Sequence, residues 1–145
     1  MRLVPAFLVV FLLAVLPSIA AAHNVQVPVG IRMDTTHGQV LTDGEGRTLY
    51  TGTVDAPGVS NCYDACAVSW PPLLVELTER NFEELTASAA LNGPLGLATR
   101  RDGSLQVTWR GWPVYTNSVV DPQIGDANGH GRTAFGVSWS VVPIE

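Results

Sequence analysis

The residue pattern predicts a mainly β fold: a single compact antiparallel β domain, sandwich or barrel-like, built from two related β units with at most one short helix. Three observations carry this. Alternating apolar and polar residues flank two Asp-Gly pairs, Asp43-Gly44 and Asp102-Gly103, and Asp-Gly between alternating arms is a strong short-range sign of a hairpin. A pattern of glycine, two residues, an aliphatic and Tyr-Thr occurs twice, as GRTLYT at 46–51 and GWPVYT at 111–116. Helical spacing is confined to residues 78–91, where Thr78 can cap and Asn92-Gly93-Pro94 stops the run.

The first 22 residues read as a secretory leader, with Arg2, an apolar run over 3–16, a Pro17-Ser18 break and an Ala20-Ala21-Ala22 cleavage signature. Cleavage there leaves His23 at the mature terminus. The competing reading is a retained membrane anchor over residues 3–22, because about 20 apolar residues span a bilayer. Residues 23–145 then form the domain, with unit one at about 38–75 and unit two at about 96–143. The expected location is exported, periplasmic or extracellular, with inner-membrane anchoring if the leader stays.

The formal charge is −5, and removal of Arg2 leaves seven arginines and no lysine against thirteen acids, or −6. Nucleic acid and anionic membrane surfaces need a basic patch and are excluded as partners. Membrane contact is expected only through residues 3–22. Without lysine there is no ε-amine for Schiff-base chemistry.

Taken in order, residues 23–32 alternate Val25, Val27, Val29 and Ile31 against polar positions, and Pro28 makes this an edge strand. Residues 39–42 and 47–51 form the first hairpin, and 55–61 a Pro/Gly/Ser loop. Cys62 and Cys66 follow at a spacing too long to bridge in a straight strand, so the chain must curl there. Such a bridge closes a very short loop and contributes about 2 kcal/mol. Trp70 supplies apolar surface beside it, and Pro71-Pro72 prevents a helix from continuing. Residues 73–75 read as a short strand, 97–100 and 105–109 as a second hairpin, and 112–116 as a third arm after Arg110-Gly111. A Gly/Asp/Asn-rich loop covers 119–132. A last strand over 133–142 is expected to carry Phe135, Val137, Trp139 and Val141 on one face.

Both GxxΦYT copies are followed by Val-Asp and later by a Trp in an apolar stretch. Two such units complete one core together, because neither half buries enough surface alone. The segments GQVLTDGEGRTLYTGTVD, CYDACAVSWPPLL, TRRDGSLQVTWRGWPVYT and GDANGHG with SWSVV resemble the bacterial "secreted repeat of unknown function" family. That family comprises small exported proteins and lipoproteins with a Tyr-x-aromatic-x-x-Asp motif. The resemblance implies motif roles for Tyr50, Asp55, Trp70, Pro71, Pro72, Tyr115 and Asp121. The motif's aromatic is replaced here by Gly52 in copy one and Asn117 in copy two, and Tyr115 to Asp121 is one residue longer than Tyr50 to Asp55.

Catalytic patterns are poorly served. The Ser-containing segment 134–140 lacks the G-x-S-x-G elbow. C-x-x-x-C is neither the redox C-x-x-C nor a haem-attachment motif, and in an exported chain it reads as a structural disulfide. The loop from Asp126 through Asn128 to His130 begins like a calcium loop, but it has His in place of an oxygen ligand and Val137 where the closing Glu would stand. A free amino terminus at His23, joined by His37 or His130, has copper-ligand chemistry. Trp109 and Trp139 are expected inside, Trp112 outside, and Trp112 with Tyr115 is the candidate interaction surface. The expected function is a non-enzymatic exported binding or scaffold module with a protein partner in an extracytoplasmic or membrane assembly, and without a cofactor. The alternative is a periplasmic metal-binding or electron-transfer accessory using copper or calcium.

Overall fold

The computed structural model describes residues 29–75 and 95–144. The expected leader, His23, the part of the expected strand before Val29 and the expected helix over 78–91 lie outside the described residues.

The described chain is antiparallel β with one short helix: β1 Val29–Asp34, β2 Gly38–Asp43, β3 Tyr50–Gly52, α1 Ala65–Ser69, β4 Leu74–Val75, β5 Leu95–Thr99, β6 Leu105–Trp109, β7 Trp112–Pro113, β8 Thr133–Ala134 and β9 Val137–Val141. β1 pairs with β2 from Val29↔Asp43 to Asp34↔Gly38, a hairpin not anticipated from the sequence. The turn that follows β2 is held by the Asp43 carboxylate, which accepts from the backbone N–H groups of Glu45 and Arg47 at 2.9 and 2.8 Å. The β5–β6 hairpin forms as expected, with Leu95↔Trp109 at its open end and Thr99↔Leu105 beside the turn.

The two units exchange their closing strands. In unit one, Leu49 N–H donates to Leu41 O, Leu41 N–H to Val142 O and Val142 N–H to Leu49 O, at 2.9, 2.9 and 3.1 Å. Unit two repeats the cycle with Val114 to Val107, Val107 to Leu73 and Leu73 to Val114, at 3.1, 2.9 and 3.0 Å. Thus the segment ending unit two completes the hairpin of unit one, and the segment ending unit one completes that of unit two. Buried main-chain groups need partners, and in each unit some of these partners come from the other. β9 forms a regular ladder with β3 from Tyr50↔Val141 to Gly52↔Trp139. At the equivalent place in unit one, Pro71 and Pro72 lack N–H groups, so only a bridge from Pro72 to Tyr115 and a bond from Thr116 N–H to Pro71 O remain.

Burial follows this exchange. One cluster holds Leu41, Leu49, Val107, Trp109, Val114 and Val142, and the other holds Tyr50, Cys62, Cys66, Trp70, Tyr115 and Trp139, so each mixes both units. The curl at the cysteines is the turn over Tyr63 and Asp64 that enters α1, where Cys66 N–H donates to Tyr63 O at 3.0 Å: the disulfide spans 5.3 Å between Cα atoms, and Trp70 N–H donates to Cys66 O at 2.7 Å before the two prolines halt the helix.

The last strand departs from expectation. Phe135 and Gly136 both take positive φ, 55° and 73°, so the chain reverses there and the run is split into β8 and β9. Val137, Trp139 and Val141 point inward as alternation requires, whereas Phe135 sits exposed on the turn.

Candidate functional site

Tyr50, Asp55, Trp70, Tyr115 and Asp121 of the motif are buried and Pro71 and Pro72 half-buried, around a local two-fold relation between the units. Tyr50 and Tyr115 exchange backbone hydrogen bonds, each N–H donating to the other's carbonyl at 2.9 Å. Trp70 and Trp139 stack with ring centroids 4.0 Å apart and planes 7° apart. Tyr50 meets Trp70 edge-on at 5.3 Å, and Tyr115 meets Trp139 edge-on at 5.2 Å. Aromatic pairs favour edge contacts of the kind the two tyrosines make.

The acids cross over. The Tyr50 hydroxyl donates to the Asp121 carboxylate, while the Tyr115 hydroxyl bonds Ser60 Oγ of the other unit at 2.7 Å and feels the charge of Asp55, whose Oδ2 has no hydrogen-bond partner among the described residues. Burial, followed by the Asp121 carboxylate, raises the Tyr50 phenol well above its usual range. Burial is also the main cause that pushes Tyr115 up to about 12, with the Asp55 charge adding to it. Burial likewise raises Asp55, against the pull of the Asn61 N–H. The relation extends to a pair that sequence reading missed. Asn61 Nδ2 donates to Val54 O and Asn128 Nδ2 to Val120 O, both at 3.0 Å, and their backbone N–H groups reach Asp55 and Asp121 at 2.7 and 2.8 Å. The signal was present: Val-Asp followed by Asn recurs after each Tyr-Thr.

The two motif departures are filled locally. A Cβ on Gly52 would stand 2.8 Å from Val137 Cγ1 and 2.9 Å from Trp139 Cζ3, so the indole occupies that space. Asn117 is buried and its Oδ1 accepts from Val119 and Val120 N–H at 2.9 and 3.0 Å, a side-chain turn that absorbs the extra residue before Asp121.

Tyr115 is fully buried, which corrects its expected place in an exposed surface with Trp112. It pairs with both Tyr50 and Pro72, and this takes its ring into the core. Trp112 is 40 % exposed. It opposes Trp109 across the Arg110-Gly111 turn, whose φ angles of 50° and 85° fit a tight two-residue hairpin loop. Both indoles border an open groove of about 400 Å³ that runs over β3 and β9. Thr51, Thr53, Ser138 and Ser140 line it with hydroxyls, Val142 and Pro143 with apolar surface, and Arg110 with charge. The outward alternation of β9 carried the signal for the serines; the strand exchange that brings them beside Trp112 did not show in the sequence.

The histidines 37 and 130 meet, with ring centroids 4.5 Å apart. His37 Nδ1 lies 2.9 Å from Asp34 Oδ1, and a carboxylate in that place orients the opposite ring nitrogen. The Asp34 carboxyl is held well below its usual range, first by Thr36 N–H and then by His37 N–H, despite some opposing burial. His130 Nδ1 accepts from Val141 N–H at 3.3 Å, which in a neutral ring puts the proton on Nε2. Asp126 Oδ2 accepts from Gln123 N–H at 3.1 Å, and Asn128 is engaged with Val120 and Asp121. Among the described residues no three His, Cys, Asp or Glu side chains are grouped to hold a metal ion.

The doubled architecture agrees with a family comparison. The family described as a secreted repeat of unknown function matches twice, over residues 32–74 and 96–143. The chain belongs to this family. The two matches fall one in each unit, and the family's description makes this secreted repeat an exported module. No curated protein and no solved structure matches the chain.

Proposed function

We propose that this secreted repeat is a non-enzymatic binding module that offers the groove over β3 and β9 to a protein partner in an extracytoplasmic, membrane-associated assembly. The exposed Trp112 indole at the rim of that groove carries the reading. Tryptophan is, with tyrosine and arginine, one of the side chains enriched as anchors of protein contacts, and the surrounding hydroxyls supply rim hydrogen bonds. The buried Tyr50 and Asp121 side chains are meanwhile occupied in joining the two units. Native purification with chemical cross-linking, wild type against Trp112→Ala, tests this. A partner captured by the wild type and lost in the variant supports it; a free wild-type monomer, or a partner held equally by both, overturns it.

A periplasmic metal or electron-transfer accessory is the second reading, favoured by the contact of His37 with His130 under the Asp34 carboxylate. His23 would add a terminal amine and imidazole if the leader is cut, and copper is the metal such ligands suit. Copper titration of the mature protein and of His37→Ala tests it. The reading requires one tightly held copper in the wild type, weakened in the variant, and fails without it.

A further inference from the structure

We propose that a second site, the pocket between the 58–61 loop and the end of β5, binds a carboxylate through Arg100 and Arg101. It rests on different residues from the Trp112 groove. Arg100 is 6 % exposed, and its guanidinium is anchored by neutral acceptors: Nη1 donates to Ser60 Oγ at 2.6 Å and to Gln106 Oε1 at 2.7 Å, and Nη2 to Cys62 O at 2.9 Å. Three of its five N–H donors are thus committed. Among the described residues no carboxylate makes a salt bridge with it, and Asp55 and Asp102 act on it only through space. A buried cation is normally paired, because burial without a counter-charge is costly.

A second guanidinium is brought to the same place. Arg100 and Arg101 lie 4.3 and 3.6 Å from the centroid of the Tyr63 ring, and Arg101 N–H also donates to the Tyr63 hydroxyl at 3.0 Å. The ring attracts each cation, yet two like charges on one ring repel. An anion held in the pocket that both side chains line would relieve that repulsion. The pocket that these side chains border has a volume of about 440 Å³ and is open to solvent, so a carboxylate can enter. Guanidinium donors match the two oxygens of a carboxylate. In a chain of net charge −5 this concentration of positive charge is local, and it selects the anionic end of a ligand.

Calorimetric titration of the full chain tests the site, with two probes: succinate, and an acetylated, amidated tri-glutamate peptide. Tighter binding of the peptide identifies an acidic protein segment as the source, and tighter binding of succinate a small diacid. Arg101→Ala, at an exposed position, is expected to weaken the better probe about tenfold, the loss of one charge-assisted hydrogen bond. Arg47→Ala, distant in sequence and paired with Glu45, is expected to leave it unchanged. The Tyr63 ring proton resonances should shift on saturation in the wild type. No binding of either probe, equal losses in the two variants, or unmoved Tyr63 resonances would each overturn the assignment.

Discussion

The Tyr50 hydroxyl donates to Asp121, an acid that follows the other tyrosine in the chain and not its own. The same carboxylate accepts from Asn128 N–H at 2.8 Å, so one acid of unit two fixes both a loop of its own unit and the phenol of unit one. Together with the exchanged closing strands, this makes the two repeats parts of one folding unit.

Separating the tyrosine from the acid should therefore cost more than either group alone explains. Tyr50→Phe leaves a buried carboxylate oxygen short of a donor, and such a loss costs about 1–3 kcal/mol. Asp121→Asn should cost a similar amount, and the double variant clearly less than the sum, as for groups in one network. Urea unfolding of the four proteins measures this. Additive losses would show that the cross-unit bond contributes no coupling.

Alkaline pH should unfold the protein through the same phenols. Tyr115 loses its proton at about 12 in the folded state, against 10.0 for an ordinary tyrosine, and Tyr50 is shifted in the same direction. The folded state binds the proton more tightly, so the stabilisation is complete below pH 10 and is lost as pH rises from 10.0 through about 12. Each phenol contributes a slope of about 1.4 kcal/mol per pH unit within its window. Tyr115→Phe should reduce the slope of stability against pH in that range. An unchanged slope would mean that the phenol titrates alike in both states.

The disulfide should prove a local clamp. Cys62 and Cys66 are four residues apart, and so short a loop restricts the unfolded chain by about 2 kcal/mol. Cys62→Ser with Cys66→Ser should lower the melting temperature by several degrees and keep the β circular dichroism. Complete unfolding of the variant would show that α1 and the Trp70 stack depend on the bridge.

Much of this could be read from the residues. Asp-Gly pairs announced the turns, alternation placed Trp109 and Trp139 inward, and the Tyr-Thr echo revealed the doubling. Strand exchange was not legible, because alternation says which face a residue takes but not which strand it pairs with. Phe135 was misplaced for a related reason. Its spacing to Val137, Trp139 and Val141 continues the strand pattern, and only its left-handed backbone, unusual for a bulky residue, turns it out. Tyr115 follows Trp112 closely in sequence, yet it is drawn inward by its pairing with Tyr50, 65 residues earlier. Arg100 gave no sequence sign of burial, since a charged residue before an Asp-Gly turn ordinarily faces water.

Gly129 tests how tightly the local two-fold centre is packed. Its N–H lies 3.3 Å from the Tyr50 hydroxyl, and a Cβ added there would stand 2.7 Å from Tyr50 Cζ and 3.0 Å from Trp70 Cη2. Both rings are fully enclosed: Tyr50 is tied to Asp121, and Trp70 is stacked on Trp139. Neither can yield without breaking a bond or a stack, so the added methyl must push the 126–132 loop away from the core. Overpacking of this kind costs about 1–3 kcal/mol. Gly129→Ala should lose that much in urea unfolding, whereas Gly58→Ala, with open space around the new methyl but a φ of 74°, probes backbone strain alone. A Gly129 loss no greater than the Gly58 loss would show that the Tyr50–Trp70 wall is looser than these distances require.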